Sequence, residues 1–186
     1  GMSLCVNYSQ GGVAMNNPVI YNDRVLNLHI DTSSPDVIFV FLGHNDKLEQ
    51  VKPFEDIRWS TIIQENADGT YTYSTPDSFT EAYAIAVHKM LNKYPAAEVV
   101  LLQCLTDGTI EQYNLTTPII QAIGDKFGLT VVDFYGNGLS RENKTYFPSD
   151  VHPSKAGMMK IAEILGQALE TIHLHRFNHV VTTPTC

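Results

Sequence analysis

Pro35-Asp36-Val37-Ile38-Phe39-Val40-Phe41-Leu42-Gly43-His44-Asn45-Asp46 is the stretch on which the reading of this chain turns. Val37 to Leu42 is an unbroken apolar run, rich in β-branched and aromatic side chains. It predicts a strand buried on both faces of a parallel sheet rather than an alternating, half-wet one. Gly43 ends the run abruptly, and three polar residues follow. Ligands of open α/β sheets bind outside the carboxyl ends of the strands, so His44, Asn45 and Asp46 fall where chemistry would be done. Taken alone, the stretch fits a strand and a polar turn equally well.

Working outward, regular punctuation appears on both sides. Upstream, Leu4 to Tyr8 reads as a short strand running into Ser9-Gln10-Gly11-Gly12, where two glycines allow a tight turn or a close backbone approach to a ligand. Asn17-Pro18 then starts a helix through about Leu28, with Val19, Val25, Leu26 and Ile30 as its apolar residues. Downstream, Lys47 to Pro76 is irregular, apart from a turn at Asn66 to Gly69 and the polar-aromatic alternation of Thr70 to Ser74, which predicts a small hairpin. Phe54, Trp59, Tyr71 and Tyr73 there either line a cleft or pack the excursion onto the body.

Ser78 and Glu81 have capping-box spacing ahead of a helix that carries Phe79, Ala82, Ala86 and Met90 or Leu91 and stops before Pro95. Glu98 to Leu105 predicts a second buried strand. Thr116 or Thr117 before Pro118 opens a helix through Phe127, with Gly128 as its C-terminal cap. Leu129 to Tyr135 is the next strand, and Ser154 opens a last amphipathic helix to about Ile172 with Met158, Ile161, Ala162, Leu165 and Leu169 as its stripe. The tail is open: Val180-Val181 can add a strand, and His173, His175 and His179 either bind a metal or, with no carboxylate or cysteine at ligand spacing, form a solvated tail. Strand and helix alternate throughout, which predicts a three-layer α/β/α sandwich with a mainly parallel sheet, over a single domain spanning 1–186.

Composition narrows the partners. With 12 Lys+Arg against 20 Asp+Glu, the formal net charge of -8 and the lack of a basic cluster argue against nucleic acid. Cys5, Cys104 and Cys186 are widely separated, with no spacing that suggests zinc or a disulfide framework; neither metal nor cofactor is expected. No apolar run approaches the roughly 20 residues of a membrane span. Gly1 before Met2 looks like a tag-cleavage scar, so the native start and the compartment stay open.

A second polar anchor is Ser149-Asp150-Val151-His152-Pro153, between the last strand and the last helix. A histidine held in a loop, with a carboxylate close by to fix its tautomer, can act as a general base. Gly11-Gly12, Gly43 to Asp46 and this loop fall on one rim of the predicted sheet, and in this order the sequence resembles the SGNH, or GDSL-type, esterase and lipase family. Asn7 to Gly12 looks like the family's glycine block, Gly43-x-Asn45-Asp46 its GxND block, and Ser149 to Gly157 its DxxHP block. Tyr94-Pro95-x-Ala97 and Val131-Val132-Asp133 read similarly. The resemblance implies a flavodoxin-like sandwich and hydrolysis of small acyl esters or acylated carbohydrates through an acyl-enzyme. Carried over, Gly12 and Asn45 would donate to the oxyanion and His152 would be the base, while Asp46, with Gly43, would brace the loop rather than react.

Two departures stand out. The family's aspartate lies three residues before the histidine, where this chain has Ser149; Asp150 is two before it, and either reaches the imidazole by another path or leaves a dyad. The family's Gly-Asp-Ser nucleophile block is absent. Either an N-terminal segment has been lost or the chain is a non-catalytic, glycan- or protein-binding relative. Loss of that inner strand leaves its place to Val180-Val181 or to a partner chain in a homo-oligomer. An alternative nucleophile is Ser9, since Tyr8-Ser9-Gln10-Gly11-Gly12 resembles the elbow of α/β-hydrolases, although Asn7 stands where that family has glycine.

Overall fold

The computed structural model describes residues 14–15, 33–149 and 152–181, the side chains of Gln112 and 174–181 apart. The strand and helix expected upstream of Pro35 lie outside the described residues. The Cα positions of the described residues group into two compact units, one comprising the chain to Cys104 together with Thr109–Val131, the other Leu105–Gly108 and Val132 onward.

The first unit is built on a sheet of order β1-β4-β5, from Val37–Val40 (β1), Glu98–Leu102 (β4) and Thr130–Val132 (β5). β1 and β4 run parallel, with Ile38 opposite Val99 and Val40 opposite Leu101. β4 is the buried strand that its Val-Val-Leu-Leu run predicts: Val99 to Leu102 are all buried. β1 departs from expectation. Val40 is buried, but Phe39 and Phe41 are 38% and 40% exposed, so the apolar run alternates after all. Among the described residues β1 pairs only with β4 and lies at the sheet's edge, where one face keeps its contact with solvent.

Helix α2 (Phe79–Lys93) begins where the capping signal places it. Ser78 is extended and its hydroxyl accepts the Glu81 N–H at 3.2 Å. The Glu81 carboxylate reaches back to the N–H of Asp77, one residue beyond the usual reciprocal partner. Residues 79 to 87 are buried on every side, where the sequence pattern predicts a stripe. The reason lies in the excursion 47–76. Its short helix α1 (Trp59–Ile62) and the antiparallel hairpin of β2 (Ile63–Glu65) and β3 (Tyr71–Tyr73) contribute Trp59, Ile62 and Tyr73 to the same core, and the turn before α1 adds Ile57. The four aromatics of the excursion therefore pack rather than line a cleft. Trp59 meets Phe54 and Phe127, and Tyr71 and Tyr73 meet His88, whose Nδ1 lies 3.0 Å from the Tyr73 hydroxyl.

Helix α3 (Glu111–Phe127) starts well before the expected Thr116 or Thr117, and Pro118 sits inside it. Proline cannot donate to the carbonyl four residues back. The turn holds nonetheless because Tyr113, Thr116, Ile120 and Ile123 form one buried face, so packing overrides the local signal. Its end is as expected. Gly128 is left-handed (φ 66°), its N–H donates to Asp125 and that of Leu129 to Gly124, a Schellman closure.

In the second unit, helix α4 (Lys155–Val181) is longer than expected and includes Val180-Val181, so those residues are helical rather than a strand filling the sheet. Its buried positions are Gly157, Ile164 and Ile172, whereas Met158 of the expected stripe is 55% exposed. Gly157 sets this rotation: a Cβ there would fall 2.5 Å from the Tyr146 carbonyl oxygen, so the helix comes in glycine-first.

Two predictions follow from the first unit's core. Ser78→Ala leaves one first-turn N–H of α2 without its acceptor and lowers stability by about 1 kcal/mol in urea unfolding, with glycine less damaging. Lys89, over the Tyr73 ring at 4.7 Å, is lowered by burial from 10.5 to about 8. Between those values the unfolded chain holds the extra proton, so this group's penalty is full below about pH 8 and is relieved as pH rises toward 10.5. Urea titrations at pH 7.5 and 10 are expected to show that rise diminished in Lys89→Met.

Candidate active site

The loop that follows β1 is held by three different means. Gly43 has φ +117°, and a Cβ there would lie 3.0 Å from the Cys104 sulfur and 3.4 Å from the Phe79 ring. The left-handed conformation calls for glycine, and a side chain would also press on the Cys104 sulfur. Cys104 is buried at the end of β4. It approaches the Leu42 carbonyl at 3.9 Å and receives the Thr116 hydroxyl at 3.5 Å. Burial pushes its thiol up to about 12, against the opposing pull of the Thr116 hydroxyl, so it stays protonated and packs rather than attacks.

Asp46 is buried, 1% exposed, and its Oδ2 accepts the Met15 backbone N–H at 2.9 Å. This bond ties the GxND loop to a point three residues beyond Gly12. Between these anchors, His44 is half-buried, edge-on to Phe41 (4.7 Å) and Tyr113 (5.4 Å). The Tyr113 hydroxyl donates to the His44 carbonyl at 3.4 Å. Asn45 is exposed at the tip. The loop thus turns His44 and Asp46 toward protein and presents an amide to solvent at the carboxyl end of the strand.

The second unit frames His152. Asn143 gathers the chain before it: its carbonyl accepts from Tyr146 and Phe147, and its Oδ1 from Thr145. Ser154 is then fixed three ways. Its N–H donates to Tyr146 O at 2.7 Å and its hydroxyl to Thr145 O at 2.6 Å, while the same hydroxyl accepts the Gly157 N–H at 3.1 Å as the cap of α4. His152, two residues before this cap, is exposed, as is Ser149. Gly43, Asn45 and Asp46 therefore share one loop of the first unit and His152 lies on a braced turn of the second. Ser9, Gly12 and Asp150 lie outside the described residues.

Sequence reasoning missed Tyr113 and Thr116 as supports of the loop. Their signal was present: Tyr113, Thr116, Ile120 and Ile123 have helical spacing, but Pro118 drew the helix start past them.

Residues 5–165 match the family of GDSL-like lipases/acylhydrolases. The chain belongs to that family. The match spans the glycine block, the Gly43 to Asp46 loop and His152. Of solved structures, a GDSL-like lipase from Parabacteroides merdae ATCC 43184 is similar at 16% identity and TM-score 0.56, covering 82% of this chain and 68% of that one. Another crystal structure is similar at 21% identity and TM-score 0.55, covering 75% and 67%. These likenesses carry the fold, an α/β architecture with a mostly parallel sheet flanked by helices. A comparison with curated proteins found no match. Family membership makes this chain a GDSL-like hydrolase by kind, which implies small-molecule substrates, and among the described residues no helix is long and apolar enough to cross a membrane.

Asp46 is the tie on which the GDSL-like loop depends. Asp46→Ala leaves the Met15 N–H without an acceptor in a buried place and is expected to lower stability by about 1.5 to 3 kcal/mol in urea unfolding, whereas Asp46→Asn, which keeps an acceptor oxygen, costs less.

Proposed function

We propose that this chain hydrolyses esters of small acyl groups, carried by simple alcohols or by acylated carbohydrates, through an acyl-enzyme. The observation that carries the reading is Asn45: an amide exposed at the carboxyl end of β1, between a glycine of left-handed backbone and a buried carboxylate. An amide NH2 held in this way is a neutral donor already aimed before charge develops, which is the requirement for stabilising a tetrahedral oxyanion.

In the reaction so read, a serine hydroxyl adds to the ester carbonyl while His152 takes its proton. The oxyanion is held by Asn45 and the Gly12 N–H. Collapse expels the alcohol, which receives the proton from His152, and water then repeats the sequence on the acyl-serine. Asp150 fixes the imidazole tautomer and stabilises the imidazolium. The exposure of His152 fits a base that must meet solvent water in the second half. Its turn, set by the Ser154 cap, supplies the rigidity that proton transfer needs.

The test is turnover of a short-chain aryl ester. Asn45→Ala is expected to lower kcat by about 10²- to 10³-fold with KM little changed, and His152→Ala to abolish turnover. A fluorophosphonate adduct, located by peptide mass spectrometry, names the attacking serine, Ser9 included. No turnover and no adduct from the intact chain would overturn hydrolysis in favour of a glycan- or protein-binding role.

A further inference from the structure

Asn45 depends on more than its own loop. Gly43 is set by contact with Cys104 and Phe79, and Asp46 by burial and its bond to Met15. Between them lies the peptide unit of His44 and Asn45, which is planar, so the direction of its carbonyl also fixes the direction in which the Asn45 backbone leaves it. That carbonyl receives the hydroxyl of Tyr113, from a residue 69 positions away in sequence. Tyr113 is itself immobilised. It is 7% exposed, stands edge-on to the His44 ring, and its own carbonyl accepts the Thr116 hydroxyl at 3.4 Å. Thr116 in turn reaches the Cys104 sulfur that crowds Gly43. The first two turns of α3 thus support the loop at His44 directly and at Gly43 through Cys104.

We infer that Tyr113 is a positioning residue for Asn45, its hydroxyl holding the His44–Asn45 peptide in the orientation that aims the amide of Asn45 at the reacting oxygen. The inference rests on the reading of Asn45 as an oxyanion donor. It differs from a space-filling role for Tyr113, which the ring alone would serve. Catalytic geometry is steep in distance, so loosening the donor is felt in the chemical step while substrate binding is left alone.

Tyr113→Phe keeps the ring and removes the hydroxyl, which makes it the discriminating variant. With a short-chain aryl ester, kcat is expected to fall about tenfold with KM unchanged. In an Asn45→Ala background the same change is expected to have no further effect, because the group being aimed is gone. Wild-type kcat in Tyr113→Phe, or an equal loss with and without Asn45, overturns the inference. If the intact chain hydrolyses no ester, the proposed function fails separately and backbone ¹⁵N relaxation decides. The order parameter at Asn45 is expected near about 0.85 in the wild type and toward about 0.6 in Tyr113→Phe. An unchanged value overturns the positioning role.

Discussion

The close approach at Gly43 is the constraint around which the first unit is arranged. The end of β1, Cys104 just past β4 and the first residue of α2 at Phe79 meet at a point where a methyl group would press on the Cys104 sulfur, and the backbone there has a left-handed φ of +117°. Protein interiors are packed to near-crystalline density, so a side chain there would have to displace its neighbours as well as strain the backbone. It follows that the loop carrying Asn45 inherits its position from the core and not from its own hydrogen bonds alone. A loop of this sort is precise because it is short and pinned by the scaffold.

What was legible in the sequence was mostly local. The cap at Ser78, the left-handed Gly128 and the strands around Ile38, Val100 and Val131 are signalled by residues within a turn or two of the feature. The family blocks were legible for the same reason: Gly43-x-Asn45-Asp46 is four consecutive positions. What was hidden depended on distant partners. Pro118 is a sound stop signal that a buried face from Tyr113 to Ile123 overrides. Phe39 and Phe41 belong to an apolar run, yet stay exposed because burial is decided by which strands flank β1. The rotation of α4 was misread because Gly157 has no side chain to appear in a hydrophobic pattern, although its lack of one decides which face goes in.

The same distinction separates the parts of the candidate site. Asn45 and His152 are found by motif because their chemistry is written in their type. Tyr113 and Thr116 are ordinary helix residues whose contribution exists only through contact with a loop far away in sequence. Cys104 shows the converse: a residue type that invites a chemical role and is removed from one by burial, its thiol held protonated beneath the loop.

The encasement of α2 has a consequence for how the excursion 47–76 tolerates change. Segments between regular elements ordinarily accept insertions and varied sequence, since they run over a surface. Here the excursion is one wall of the core, with Ile57 and Ile62 buried against the helix. Those inward positions are therefore bound to the substitution rules of an interior, although most of the excursion is exposed. Its tip, Asn66 to Thr70, is the place that tolerates lengthening, because an exposed turn there closes on its own through Asp68 and Asn66. A graft or a tag placed there would leave the helix covered, and one placed at Ile57 would strip it.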